Sequence, residues 1–191
     1  MSTRDTGRPA DEGPAPDFHW PRPDLAVGGR VPVGLAEALA RRWGVRRVVD
    51  LRAEEQDDAE SFRGHGVEVL HLPTPDMRPV EPALLWQGVR WVREGLGRGE
   101  RVLVHCEYGI GRSVLLTACV LVSLGDSPCA ALERIKGART VACPAPDQLH
   151  ALLAWAADWH RRANTPCPAA TWDDLARIAY RDLQGRWEDG G

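Results

Sequence analysis

Apolar residues fall along the chain in two alternating rhythms. Short blocks at residues 46–51, 67–72 and 101–105 are rich in Val and Leu and read as strands, and the run Val102-Leu103-Val104 is the pattern of a central strand buried on both faces. Longer stretches repeat apolar residues at helical spacing over residues 81–96, 113–124, 127–136 and 146–161. The last of these carries Leu149, Leu152, Leu153, Ala156 and Trp159. Pro32 fits the first turn of a helix ending near Gly44, and the polar stretch 53–64 reads as a short helix. Residues 18–27 open the domain as one or two short edge strands, interrupted by Pro21 and Pro23. This alternation predicts an α/β fold: a single domain with a central, mostly parallel sheet flanked by helices on both faces.

The ends read differently. Residues 1–17 are Pro, Gly and charge with almost nothing to bury, which predicts a disordered leader. Residues 18–163 form the predicted domain, and 164–191 a linker and an amphipathic helix, with Thr171 and Asp174 placed to cap its start. With 191 residues and 43% hydrophobic content, the chain has material for one sizeable core. A net charge of −3 supplies no global basic field, which argues against nucleic acid or an anionic membrane surface as partner. No apolar stretch approaches the roughly 20 residues that span a bilayer, and the start lacks a signal core, so the expected location is cytoplasmic. Five cysteines without a paired CxxC arrangement suggest reduced thiols rather than a disulfide framework or a zinc site. The tryptophan pairs Trp86 with Trp91, and Trp155 with Trp159, are read as core packing.

Candidate chemistry concentrates in His105-Cys106-Glu107-Tyr108-Gly109-Ile110-Gly111-Arg112-Ser113, where a central strand feeds a helix. The first N–H groups of a helix have no intrahelical partners, and the helix dipole adds positive potential, so such a turn binds a phosphate dianion. Gly109 and Gly111 let the backbone of residues 107–111 curl around it. Arg112 can return to the same phosphate with two parallel hydrogen bonds. Cys106 then faces the phosphorus, and helix N–H groups beside a cation favour the nucleophilic thiolate.

The segment resembles the signature of the cysteine-dependent phosphatase superfamily, His-Cys, five residues, Arg, then Ser or Thr, and especially its dual-specificity and atypical branches. The resemblance implies attack by Cys106 to give a cysteinyl-phosphate that water then hydrolyses. It implies that Ser113 donates a hydrogen bond to the Cys106 sulfur, and that His105 orients the loop through backbone contacts. Asp76, in the proline-bound loop 73–79 and thirty residues before Cys106, matches the placement of the family's general acid. Asp50, Asp57 and Asp58 are poorer choices, since they sit on an earlier strand and the polar segment after it. Gln148 is similar to a family glutamine that positions the hydrolytic water. Arg139, upstream in the same connection, either supports the phosphate loop or is solvated. No metal and no cofactor enter this scheme.

The loop residues 107–111 contain no Lys or Arg, whereas phosphatases of highly charged phosphoinositides place basic residues there. The expected substrate is therefore phosphotyrosine and phosphoserine/threonine on protein, with small phosphate esters behind. The competing readings are a catalytically silent phosphate-binding module and a sulfur-transfer or arsenate-reducing enzyme. The Ser113 and His105 flanks and the upstream acid fit hydrolysis better.

Overall fold

The computed structural model describes residues 16–32 and 34–183. All but the last two positions of the predicted leader, and residues 184–191 of the predicted tail, lie outside the described residues. Five strands form one sheet in the order β1-β2-β5-β3-β4. These are β1 Phe18–Arg22, β2 Leu25–Gly28, β3 Val45–Arg52, β4 Glu68–Thr74 and β5 Arg101–His105. Only β1 with β2 is antiparallel; the other pairings are parallel, as the expected βαβ alternation requires. β1 is an edge, and its register slips between His19 and Arg22, around Pro21. β2 is not an edge: it pairs on both sides, and Leu25, Ala26 and Val27 are fully buried.

The central strand explains the two-sided core. Val102 and Val104 of β5 point into one hydrophobic cluster and Leu103 into the other, as the two-residue period of a strand dictates. The smaller cluster is closed by α1 Ala36–Arg41 and α2 Ala59–Gly64. The larger is closed by α3 Pro82–Gly97, α4 Arg112–Ser123, α5 Pro128–Ala138 and α6 Pro146–Ala163. Every residue of α4 is buried, so it is the helix at the heart of the fold. Trp86 of α3 meets Trp155 and Trp159 of α6 with ring centroids 5.3 and 5.6 Å away, which joins the two helices. Arg93 and Arg162 lie over Trp159 and Trp86, covering what remains exposed.

Two elements differ from the sequence reading in ways that matter for the site. The helix expected over 53–64 begins only at Ala59, capped by Asp58, whose carboxylate accepts from the N–H of Glu60 and Ser61. Residues 53–58 form a loop instead, because Asp50, Arg52 and Asp57 tie it back to the end of β3. The last helix, α7 Trp172–Ala179, is shorter than expected. Thr171 and Asp174 cap it reciprocally, and Leu175 and Ala179 enter the same cluster as α4. Among the described residues no helix is long and apolar enough to cross a membrane.

Candidate active site

The strand-to-helix turn between β5 and α4 is organised by its carbonyl groups. Glu107 O accepts from Arg30 N, Ile110 O from Cys143 N, and Gly111 O from Leu115 N. Tyr108 O and Gly109 O accept from the Arg139 guanidinium at 2.8 and 2.7 Å. Each carbonyl from 107 to 111 thus has a partner on the surrounding protein. Among the described residues, no N–H from 107 to 112 has one. A peptide whose carbonyl turns outward turns its N–H inward, so five consecutive amides and the start of α4 converge on one concavity, the arrangement that binds an oxyanion.

Gly109 makes the curl possible. Its φ is +65°, and a Cβ there would collide with the backbone of Gly28 and Gly29 and with Arg139. Arg139 is 2% exposed and also holds the Asp17 carboxylate at 2.7 and 2.9 Å. It therefore supports the loop rather than being solvated. Asp17, placed in the leader by sequence pattern, is instead one wall of this support.

Cys106 sits at the floor, 2% exposed, with Sγ 3.4 Å from Ser113 Oγ. Ser113 Oγ also lies 3.3 Å from Gly28 O. The hydroxyl donates to one of the two at a time, so thiolate at Cys106 would draw its proton from Gly28. His105 is fully buried: Nε2 is 2.8 Å from Asp57 and Nδ1 is 3.4 Å from the Cys106 carbonyl. Its firmer hold is thus a carboxylate, not the backbone contact expected from sequence.

Asp57 belongs to a buried network. Arg52 donates to Asp50 and Asp57, and the Asp57 N–H donates to Asp50. Burial pushes the Asp50 carboxyl up, but the hydrogen bond from Arg52, the charge on His105 and two backbone N–H groups outweigh it and leave it below its ordinary value. Asp50, Asp57 and His105 come within 4.8 Å of one another, near enough to ligate a metal ion. The Arg52 guanidinium already lies on both carboxylates, so the cluster reads as an ion-pair network under the loop.

Arg112 is 1% exposed and carries a contact that sequence reasoning missed. Its two terminal nitrogens make a bidentate pair with Glu54, both at 2.8 Å; one also donates to Thr74 O and the other lies 2.9 Å from Asp76. The Nε–H is buried with no partner. The hydrogen bonds from Arg112 hold the Glu54 carboxyl at about 2, against an opposing push from burial. Glu54 went unnoticed because residues 53–58 read as a polar helix; the run of acidic residues directly after a buried strand was the available signal.

Asp76 is carried by the turn Pro75–Arg78, closed by Arg78 N to Pro75 O at 3.2 Å. Met77 there has φ +60°, a left-handed conformation costly for a side chain with a Cβ. Gln148 is 2% exposed; Oε1 accepts from Ala145 N and Nε2 donates to Arg78 O, both at 2.9 Å. A Cβ on Gly111 would strike its amide. Gln148 thus bridges the loop carrying Asp76 and the phosphate loop. The candidate residues named from sequence, Cys106, Arg112, Ser113, Asp76, His105 and Gln148, are therefore brought to one end of the sheet.

The fold that carries this site recurs in known proteins. A family described as a polymorphic toxin system DSP-PTPase phosphatase matches residues 35–126. The solved structure of PTPMT1 in complex with PI(5)P superposes with a TM-score of 0.72 at 25% identity, over 76% of this chain and 98% of that one. In its fold and in the matched segment, the chain is similar to the dual-specificity branch of the cysteine-dependent phosphatases. Human DUSP28 superposes on this dual-specificity fold with a TM-score of 0.64 at 26% identity, over 74% of this chain and 93% of that one. Rat cyclin-dependent kinase inhibitor 3 is 30% identical over 80 residues, 41% of this chain. The match spans 38% of that curated relative's own length.

Proposed function

We propose that this dual-specificity phosphatase hydrolyses phosphate monoesters on proteins, phosphotyrosine and phosphoserine or phosphothreonine, through a cysteinyl-phosphate. The observation that carries the reading is the run of N–H groups from 107 to 112, without partners among the described residues, that follows the buried Cys106 and ends at the buried Arg112. In the first step Cys106 Sγ bonds to phosphorus while the ester oxygen departs. Asp76 supplies that oxygen with a proton. The loop amides and Arg112 hold the three equatorial oxygens as charge redistributes. In the second step water attacks phosphorus, the S–P bond breaks, and Asp76 takes the water's proton. Ser113 donates to the departing sulfur, and Gln148 is placed to orient the water.

Arg112 pairs with both Asp76 and Glu54. Phosphate arriving at Arg112 replaces those contacts and frees the Asp76 carboxyl group to hold a proton for the leaving oxygen. Both acids are partly exposed, at 41% and 51%, so they have room to withdraw.

Steady-state hydrolysis of an aryl phosphate in the presence of chelator tests the scheme. Cys106→Ser is expected to lose on the order of 10³-fold or more in kcat. Asp76→Asn is expected to lose about 10²-fold on esters with poor leaving groups and far less on good ones. Wild-type protein that binds orthovanadate yet turns over no ester would overturn hydrolysis in favour of a silent phosphate-binding module.

A further inference from the structure

Beside the start of the phosphate loop lies a cavity of about 760 Å³ lined by Glu54, Glu55, Asp76, Glu107 and Tyr108, and among the described residues no Lys or Arg lines it. Tyr108, 61% exposed, stands at its rim. Among the described residues, the cations that touch these four carboxylates are Arg112, Arg52 and Arg30. Arg112 and Arg52 are buried beneath the cavity, and Arg52 is shared with Asp50 and Asp57. Six carboxylates therefore face three arginines before any substrate arrives. On the far side of the Asp76 turn a second groove carries Arg78, but with Glu81 and Asp147 beside it.

A second observation says that an anion nonetheless belongs at the floor. Arg112 is 99% buried, given its 1% exposure, and its Nε–H lacks any partner at the point where Glu54 and Asp76 reach its other nitrogens. The site thus asks for one phosphate at the bottom and positive charge at the mouth. When a phosphate dianion takes Arg112, the Glu54 carboxylate loses its counter-ion and adds to the unbalanced charge of the rim. Within a Debye length of about 8 Å at physiological salt, that rim repels further anions and attracts cations.

Resting on the phosphatase reading above, we infer that the substrate is a phosphorylated protein segment with basic residues flanking the phosphorylated one. Lys or Arg next to the phosphoresidue would pair with Glu54 as it loses its hold on Arg112, and with Glu55 and Glu107 on the same rim. A phosphoinositide or an acidic phosphopeptide would bring more negative charge to the same rim.

The test compares phosphotyrosine peptides flanked by three Lys with the same peptides flanked by three Glu, and a soluble short-chain phosphatidylinositol monophosphate. The basic peptide is expected to exceed the acidic one about 10-fold in kcat/KM at low ionic strength, with the ratio shrinking toward one in high salt. Glu55→Lys should cut the ratio severalfold, read against turnover by the same variant of an aryl phosphate that carries no charge besides its phosphate. Binding of the same ligands to Cys106→Ser, followed by anisotropy, should rank them in the same order without requiring turnover. Equal or reversed peptide preference at low salt, or faster hydrolysis of the inositide, would overturn the inference and leave phosphatase activity standing. Absence of aryl phosphate turnover with the basic peptide still bound more tightly would overturn hydrolysis and leave the inference standing.

Discussion

Arg112 holds Glu54 on the nitrogens that a phosphate would use, so ligand binding at this site is an exchange of one anion for another. The exchange has a consequence at the residue scale. Because Arg112 also has Thr74 O and Asp76 as anchors, removing the Glu54 charge should leave the guanidinium in place and remove its competitor. Glu54→Gln is expected to tighten inhibition by orthovanadate by roughly 3- to 10-fold, about 0.7 to 1.4 kcal/mol. A weaker inhibition constant would instead mean that Glu54 orients the arginine. The carboxyl of Glu54 is held at about 2, so it stays ionised across the working range. The effect of the substitution should therefore be the same at pH 5 and pH 8. Neither Glu54 nor the Asp57 partner of His105 was legible as a site residue. Both lie some fifty residues before the loop they serve, and no local spacing connects them to it.

At the scale of elements, the phosphate loop is shaped less by its own residues than by the segments packed around it. Arg139, at the end of α5, bonds two loop carbonyls and Asp17, while Cys143 bonds a third. Arg139→Ala would leave the buried Gly109 O, and the partly buried Tyr108 O, without their donor, at a cost of about 1 to 3 kcal/mol. A lower midpoint in urea together with weaker vanadate binding is the expected outcome; a lower midpoint with unchanged vanadate affinity would mean that the loop holds its shape alone. Gly109→Ala should be more damaging, since the backbone of Gly28 and Gly29 has no room to move aside. The strands and helices themselves were readable because β5 and α4 carry strong, uninterrupted periodic patterns. The loop 53–58 was misread because a polar stretch has no periodicity to separate a helix from a loop held by ion pairs.

For the molecule as a whole, α7 is tied to the site across the fold. The Tyr180 hydroxyl donates to Pro144 O at 2.8 Å, and Lys136 reaches both Ala142 O and Asp182. These contacts hold the connection that carries Arg139 and Cys143 against the phosphate loop. Tyr180→Phe is expected to cost about 1 kcal/mol, seen as a modest fall in Tm by calorimetry. Acid stability follows from the carboxylates paired with arginine. The Glu54 carboxyl falls from 4.5 to about 2 on folding, and that of Asp50 is also lowered. A depressed carboxyl contributes stability that is complete above its unfolded value and is lost as the pH drops through its folded one. Tm should therefore fall between pH 4.5 and pH 2, and Glu54→Gln should flatten part of that fall. The sequence alone determined the α/β alternation, the strand-to-helix turn and the residues Cys106 to Ser113, because periodicity and turn chemistry are local properties. Which carboxylates surround Arg112, why Asp17 and Arg139 belong to the loop, and what charge the mouth presents were decided only when the chain folded. Those depend on side chains brought together from distant strands and loops, and no spacing along the chain encodes such distances.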